Sequence, residues 1–178
     1  MRKSSFAALA LVGSAALVGG VVTPAIAADT TSTVAVSGGT LTIGAPGTSV
    51  LTNITSSSSE QEATATLTDV SVIDDRASTA GWTASVALSA FTTPEGTPGS
   101  VIPPETAVYT PAAAVVTVSP TTVVTPTTAT DLSTTKAVQS TVGGTSSNTA
   151  TWDATLTVKV PALALANDYT ATLTHSIL

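Results

Sequence analysis

The chain has 178 residues, 43% of them apolar and only 9% charged, with no cysteine and a single histidine. Beyond residue 27 the cations are Arg76, Lys136 and Lys159 against 11 acidic residues, a net charge of −8. Such a surface cannot neutralise a row of phosphates, which excludes nucleic-acid binding and opposes attachment to anionic lipid or teichoic acid. A partner has to be neutral, cationic or bridged by metal. Threonine is the dominant polar residue, and no stretch beyond the first 27 residues shows helical periodicity of useful length. Thr and Val are stiff at χ1 and suit a pleated surface.

In chain order, residues 1–27 read as a secretory signal peptide. Arg2 and Lys3 precede the apolar run Ala7–Val22, and Ala25-Ile26-Ala27 supplies a small-residue cleavage site. The run is shorter than the ~18 residues a membrane span needs. The mature chain is expected to begin at Ala28, leaving 28–178 as a single domain without a transmembrane segment. Thr33–Val36 and Thr40–Ile43 flank Gly38-Gly39 as a predicted hairpin. Ser56–Glu60 reads as a polar loop. Ala63–Ile73 is a long strand whose apolar phase slips from Ala63, Ala65 and Leu67 to Val70 and Val72, predicting a bulge near Thr68-Asp69.

Trp82, Ala84, Val86, Leu88 and Ala90 line one face of the next strand, and a Pro/Gly-rich loop runs from Thr93 to Pro104. Val108–Tyr109, Val115–Val118 and Val123–Thr125 are short strands cut by Pro111, Pro120 and Pro126. Ser133–Thr141 is a further strand. The closing run reads as a hairpin. Trp152, Ala154, Leu156, Val158 and Val160 point inward on its first strand; Tyr169, Ala171, Leu173, His175 and Ile177 share a face on its second. Pro161–Asp168 between them has room for one helical turn. Roughly eight to ten short strands with turn signals between them predict an all-β, antiparallel Ig-like β-sandwich. Gly81-Trp82-Thr83-Ala84 echoes Thr151-Trp152-Asp153-Ala154, which predicts two tryptophans anchoring opposite sheets.

Candidate chemistry is sparse. Any Ser-His-Asp site would need His175, which falls among core-facing positions, and a histidine- or cysteine-rich zinc site is impossible. The carboxylate pairs Glu60/Glu62 and Asp74/Asp75 have few aromatic residues near them in sequence to line a sugar cleft. No catalytic residue and no cofactor is expected. Asp69, Asp74 and Asp75 are the candidate Ca²⁺ ligands, because hard cations take clustered oxygens; a salt bridge from Arg76 is the simpler expectation for them.

The order of segments resembles the WxL domain of Gram-positive surface proteins and its actinobacterial relatives. The matching pieces are Gly38-Gly39-Thr40-Leu41-Thr42-Ile43, Val70–Arg76, Gly81-Trp82-Thr83, Phe91-Thr92-Thr93 and the run Thr149–Leu178 with Tyr169–Thr174. Both Trp-x-Leu motifs are altered: Trp82 is followed by Thr83-Ala84, and His175-Ser176-Ile177 stands where the second motif is expected. The resemblance implies a secreted, non-enzymatic, cell-wall or cell-surface protein that associates non-covalently with peptidoglycan or another neutral wall glycan. An alternative it implies is a structural subunit docking onto a companion membrane-anchored surface protein. The candidate ligand contacts are then Trp82, Trp152, Tyr169 and His175, with Trp152 expected inside and Trp82 expected to be partly exposed.

Overall fold

The computed structural model describes residues 30–95, 99–117, 122–143 and 147–178. The predicted leader lies outside them, as do parts of the loops at 93–104 and 143–148 and the end of Val115–Val118. Ten strands follow in order: β1 Leu41–Gly44, β2 Gln61–Asp74, β3 Trp82–Leu88, β4 Val108–Pro111, β5 Val115–Thr117, β6 Val124–Pro126, β7 Ala129–Thr130, β8 Lys136–Thr141, β9 Asn148–Val160 and β10 Leu173–Ile177. One sheet has the order β1-β2-β9-β4-β7, with β5 pairing β9 beside β4; the other has the order β10-β3-β8-β6. The chain is therefore an all-β sandwich, antiparallel throughout the named pairs. Val36–Leu178 forms the compact unit that holds every strand. Of the unit preceding Val36, residues 30–35 are described; they are exposed and outside any strand.

The long strands follow from their alternation. On β9 the buried set is Asn148, Ala150, Trp152, Ala154, Leu156, Val158 and Val160, while Asp153, Thr155 and Lys159 are exposed. β2 needs an interruption to do the same. Ala63, Ala65 and Leu67 are buried in one phase and Val70, Val72 and Asp74 in the other. The pairing with β9 shifts between Leu67 and Val70. Asp69 takes φ 58° at that point, and its backbone N–H donates to Asp153 Oδ1 at 3.0 Å. The extra residue lets two odd-phase and even-phase runs face one core.

Several expectations about connection differ. Gly38-Gly39 makes no hairpin, and residues 33–36 form no strand. Instead Gly39 N–H donates to Asp75 O (2.8 Å) and Asp75 N–H to Thr40 O (2.9 Å), so β1 is stitched to the far end of β2. A Cβ on Gly39 would stand 2.8 Å from that of Asp75; the glycines serve close approach of two chains rather than a turn. The closing hairpin is also absent. β9 lies centrally in one sheet and β10 pairs β3 at the edge of the other, through His175↔Val86 and Ile177↔Ala84. The 161–172 connection crosses between the sheets, and it contains turns and bends rather than a helical turn. Residues 133–135 form no strand, Pro111 is paired within β4, and Pro104–Thr106 makes a 3-10 turn where a plain loop was expected.

Candidate functional site

Trp82 on β3 and Trp152 on β9 anchor opposite sheets, and each is only 2% exposed. Trp82 is thus as buried as Trp152, contrary to the expectation of partial exposure. Gly81 is squeezed against the Thr141 and Gly143 backbone, which draws the start of β3 inward instead of leaving it at a loop end. The two rings differ in partners. Trp152 Nε1–H donates to Tyr109 Oη at 3.4 Å, and Tyr109 Oη lies 3.4 Å from His175 Nε2, with the Tyr and His rings edge to face at 5.8 Å. Trp82 Nε1–H is buried with no hydrogen-bond partner among the described residues.

His175 is therefore part of an inter-sheet contact from β10 to β4 and β9. Burial pulls its pKa below the ordinary histidine value. Burial also pushes the Tyr109 hydroxyl up, against a smaller opposing effect of the Trp152 hydrogen bond. The arrangement orients the Trp152, Tyr109 and His175 side chains across the core.

The three candidate cation ligands are not gathered. Asp69 sits at the bulge, whereas Asp74 ends β2 and pairs with Asn148. Arg76 Nε and Nη2 donate to the two oxygens of Asp74 at 2.9 Å each, and Nη2 also reaches Gly81 O at 3.1 Å. The Arg76 hydrogen bond holds the Asp74 carboxyl below its usual range. Among the described residues no three His, Asp or Glu side chains are close enough to hold a metal ion.

Two surfaces remain. The first is the outer face of the larger sheet. Cross-strand register places Thr66, Thr155 and Thr110 in one row over β2, β9 and β4, with Thr64, Thr157 and Val108 forming the next row along. Neighbouring strands stand ~4.8 Å apart and alternate residues ~6.7 Å apart along a strand, so the hydroxyls are regularly spaced. Thr66, Thr155 and Thr110 are exposed and border, with Asp153, a shallow depression of about 220 Å³. Alternation along β9 turns Thr155 outward, but only register shows that both of its cross-strand neighbours are threonines.

The second surface is a cleft of about 530 Å³ at the foot of the sandwich, where Gln61 pairs Val160. Its walls are residues 49–57 and the 161–171 crossover, tied together by Leu163 N–H to Ser57 O (2.7 Å) and Ser56 Oγ–H to Ala164 O (2.8 Å). Tyr169, the remaining predicted contact, lines this cleft. Its hydroxyl donates to Leu165 O at 2.8 Å and accepts from Ser100 N–H at 3.1 Å. Trp82, Trp152 and His175 lie in or against the core, so the structure does not bring the four predicted contacts into one site. All three cations among the described residues are engaged: Arg76 with Asp74, Lys136 with Asp131 at 3.6 Å, and Lys159 with Glu60 at 3.4 Å. No family model, curated protein or solved structure matches this chain.

Proposed function

We propose that the mature chain is a secreted, non-catalytic cell-surface module that associates non-covalently with the cell wall through neutral peptidoglycan-type glycan. The observation that carries this reading is the threonine array on the larger sheet, on a molecule whose described cations are all paired with carboxylates. The threonine hydroxyls offer both donors and acceptors to sugar hydroxyls, and the Asp153 carboxylate beside them in the depression adds an acceptor. Burial of both tryptophans moves the contact away from aromatic stacking and onto hydrogen bonding. The leader-like start and the WxL-type order of segments support the location.

The test is co-sedimentation with sacculi freed of protein and of anionic polymer. Binding should persist when salt rises from about 50 to about 200 mM, a range over which phosphate contacts would be lost. Thr110→Val with Thr155→Val removes two hydroxyls while keeping β-branched shape and should lower the wall-bound fraction without changing stability. Release by salt, or wild-type sedimentation of the double variant, sinks the reading.

A second reading, a structural subunit docking onto a companion membrane-anchored surface protein, is favoured by one observation. Val34 and Val36 are 84% and 86% exposed on a segment outside any strand.

A further inference from the structure

We propose that Thr30–Ser37 of one molecule enters the foot cleft of a second copy, so that chains associate head to tail. This assigns the exposed valines to a second copy of the chain instead of a companion protein, and it is independent of glycan binding by the threonine face. The segment reads Thr30-Thr31-Ser32-Thr33-Val34-Ala35-Val36-Ser37, an uncharged β-forming run with two valines two residues apart. In an extended chain both valines point the same way. Each is more than four-fifths exposed.

The cleft offers the complement. Its floor is small and apolar, formed by Ala63, Phe91, Ile102, Val158, Val160 and Ala164. Its rim is hydroxyl- and amide-rich, and Asp168 is its one carboxylate. Two molecules that each carry a net charge of −8 beyond residue 27 can approach closely only where both surfaces are nearly neutral, and segment and cleft are such a pair.

A molecule cannot fill its own cleft. Gly39 is bonded to Asp75, at the end of β2 remote from the cleft. From Gly38 back to Val34 the chain spans at most about 14 Å. From Asp74 to Ala63, on the cleft floor, β2 runs about 36 Å. The occupant is therefore another copy. Because the segment's attachment at Gly39 and the cleft lie at opposite ends of β2, the contact is heterologous and propagates rather than closing on a two-fold axis, by strand-like docking of an extended segment.

The experiment uses mature protein, residues 28–178, in sedimentation velocity from micromolar to near-millimolar concentration. Wild type should form a concentration-dependent ladder of oligomers. Val34→Asp with Val36→Asp abolishes the donor; Val50→Asp with Ile54→Asp abolishes the acceptor, and all four positions are exposed, so circular dichroism should be unchanged. Each double variant alone should be monomeric. Mixed together they should give a one-to-one dimer and nothing larger, because one intact cleft meets one intact segment. Thr110→Val with Thr155→Val should leave the ladder intact even if it abolishes wall binding. A monomeric wild type, a ladder that survives either double variant, or a mixture that stays monomeric would overturn the proposal.

Discussion

Trp82 and Trp152 look alike in sequence and in burial, yet one indole N–H is bonded and the other is not. A buried donor without a partner costs roughly 1–3 kcal/mol. Phenylalanine deletes that donor at position 82 but breaks a hydrogen bond at position 152. Trp152→Phe should therefore destabilise by about 1–2 kcal/mol more than Trp82→Phe, read as the difference in urea midpoint at unchanged slope. His175 adds a pH dependence. Its folded pKa lies below the ordinary 6.5 because burial disfavours the cation. The unfolded chain thus binds the proton more readily, so stability is full above pH 6.5 and declines as pH falls below it towards the folded value. His175→Phe should flatten urea midpoints across that window; an unchanged slope would remove His175 as the cause.

The bulge in β2 decides which residues of its second half face the core. Continued without interruption, the phase of Ala63, Ala65 and Leu67 would bury Ile73 and expose Val72. The structure does the reverse, with Val72 fully buried and Ile73 42% exposed. Val72→Asp should prevent folding, because an unpaired charge would be placed between the sheets. Ile73→Asp should stay within about 1 kcal/mol of wild type. Equal losses in thermal melts would contradict the assigned phase. The slip was legible in the sequence because Leu67 and Val70 are three residues apart in a run that otherwise alternates by two. The left-handed conformation of Asp69 was not, since it arises from how β2 must bend over β9.

In the whole molecule, the last strand closes the smaller sheet rather than completing a hairpin. Leu173, His175 and Ile177 cover β3 across the register Leu88 to Ala84, and Leu178 exchanges backbone hydrogen bonds with Thr83. Removing residues 171–178 should therefore bare one edge of β3 along with Val86 and Leu88. The truncated protein is expected to lose cooperative unfolding and to bind a hydrophobic dye; retention of a sharp transition would show that β10 is dispensable. By itself the sequence determined the all-β class, the inward faces of β2, β3, β9 and β10, the bulge, and the inward phase of Trp152. Each of these is a matter of local alternation, which the pleat converts directly into burial. Only the tertiary structure decided that β9 and β10 part company, that Gly38-Gly39 packs against Asp75-Arg76, that Trp82 is sealed in, and that threonines from three strands line up in a row. Pairing partner and register depend on contacts between residues far apart in the chain, and alternation along one strand carries no record of which strand lies beside it.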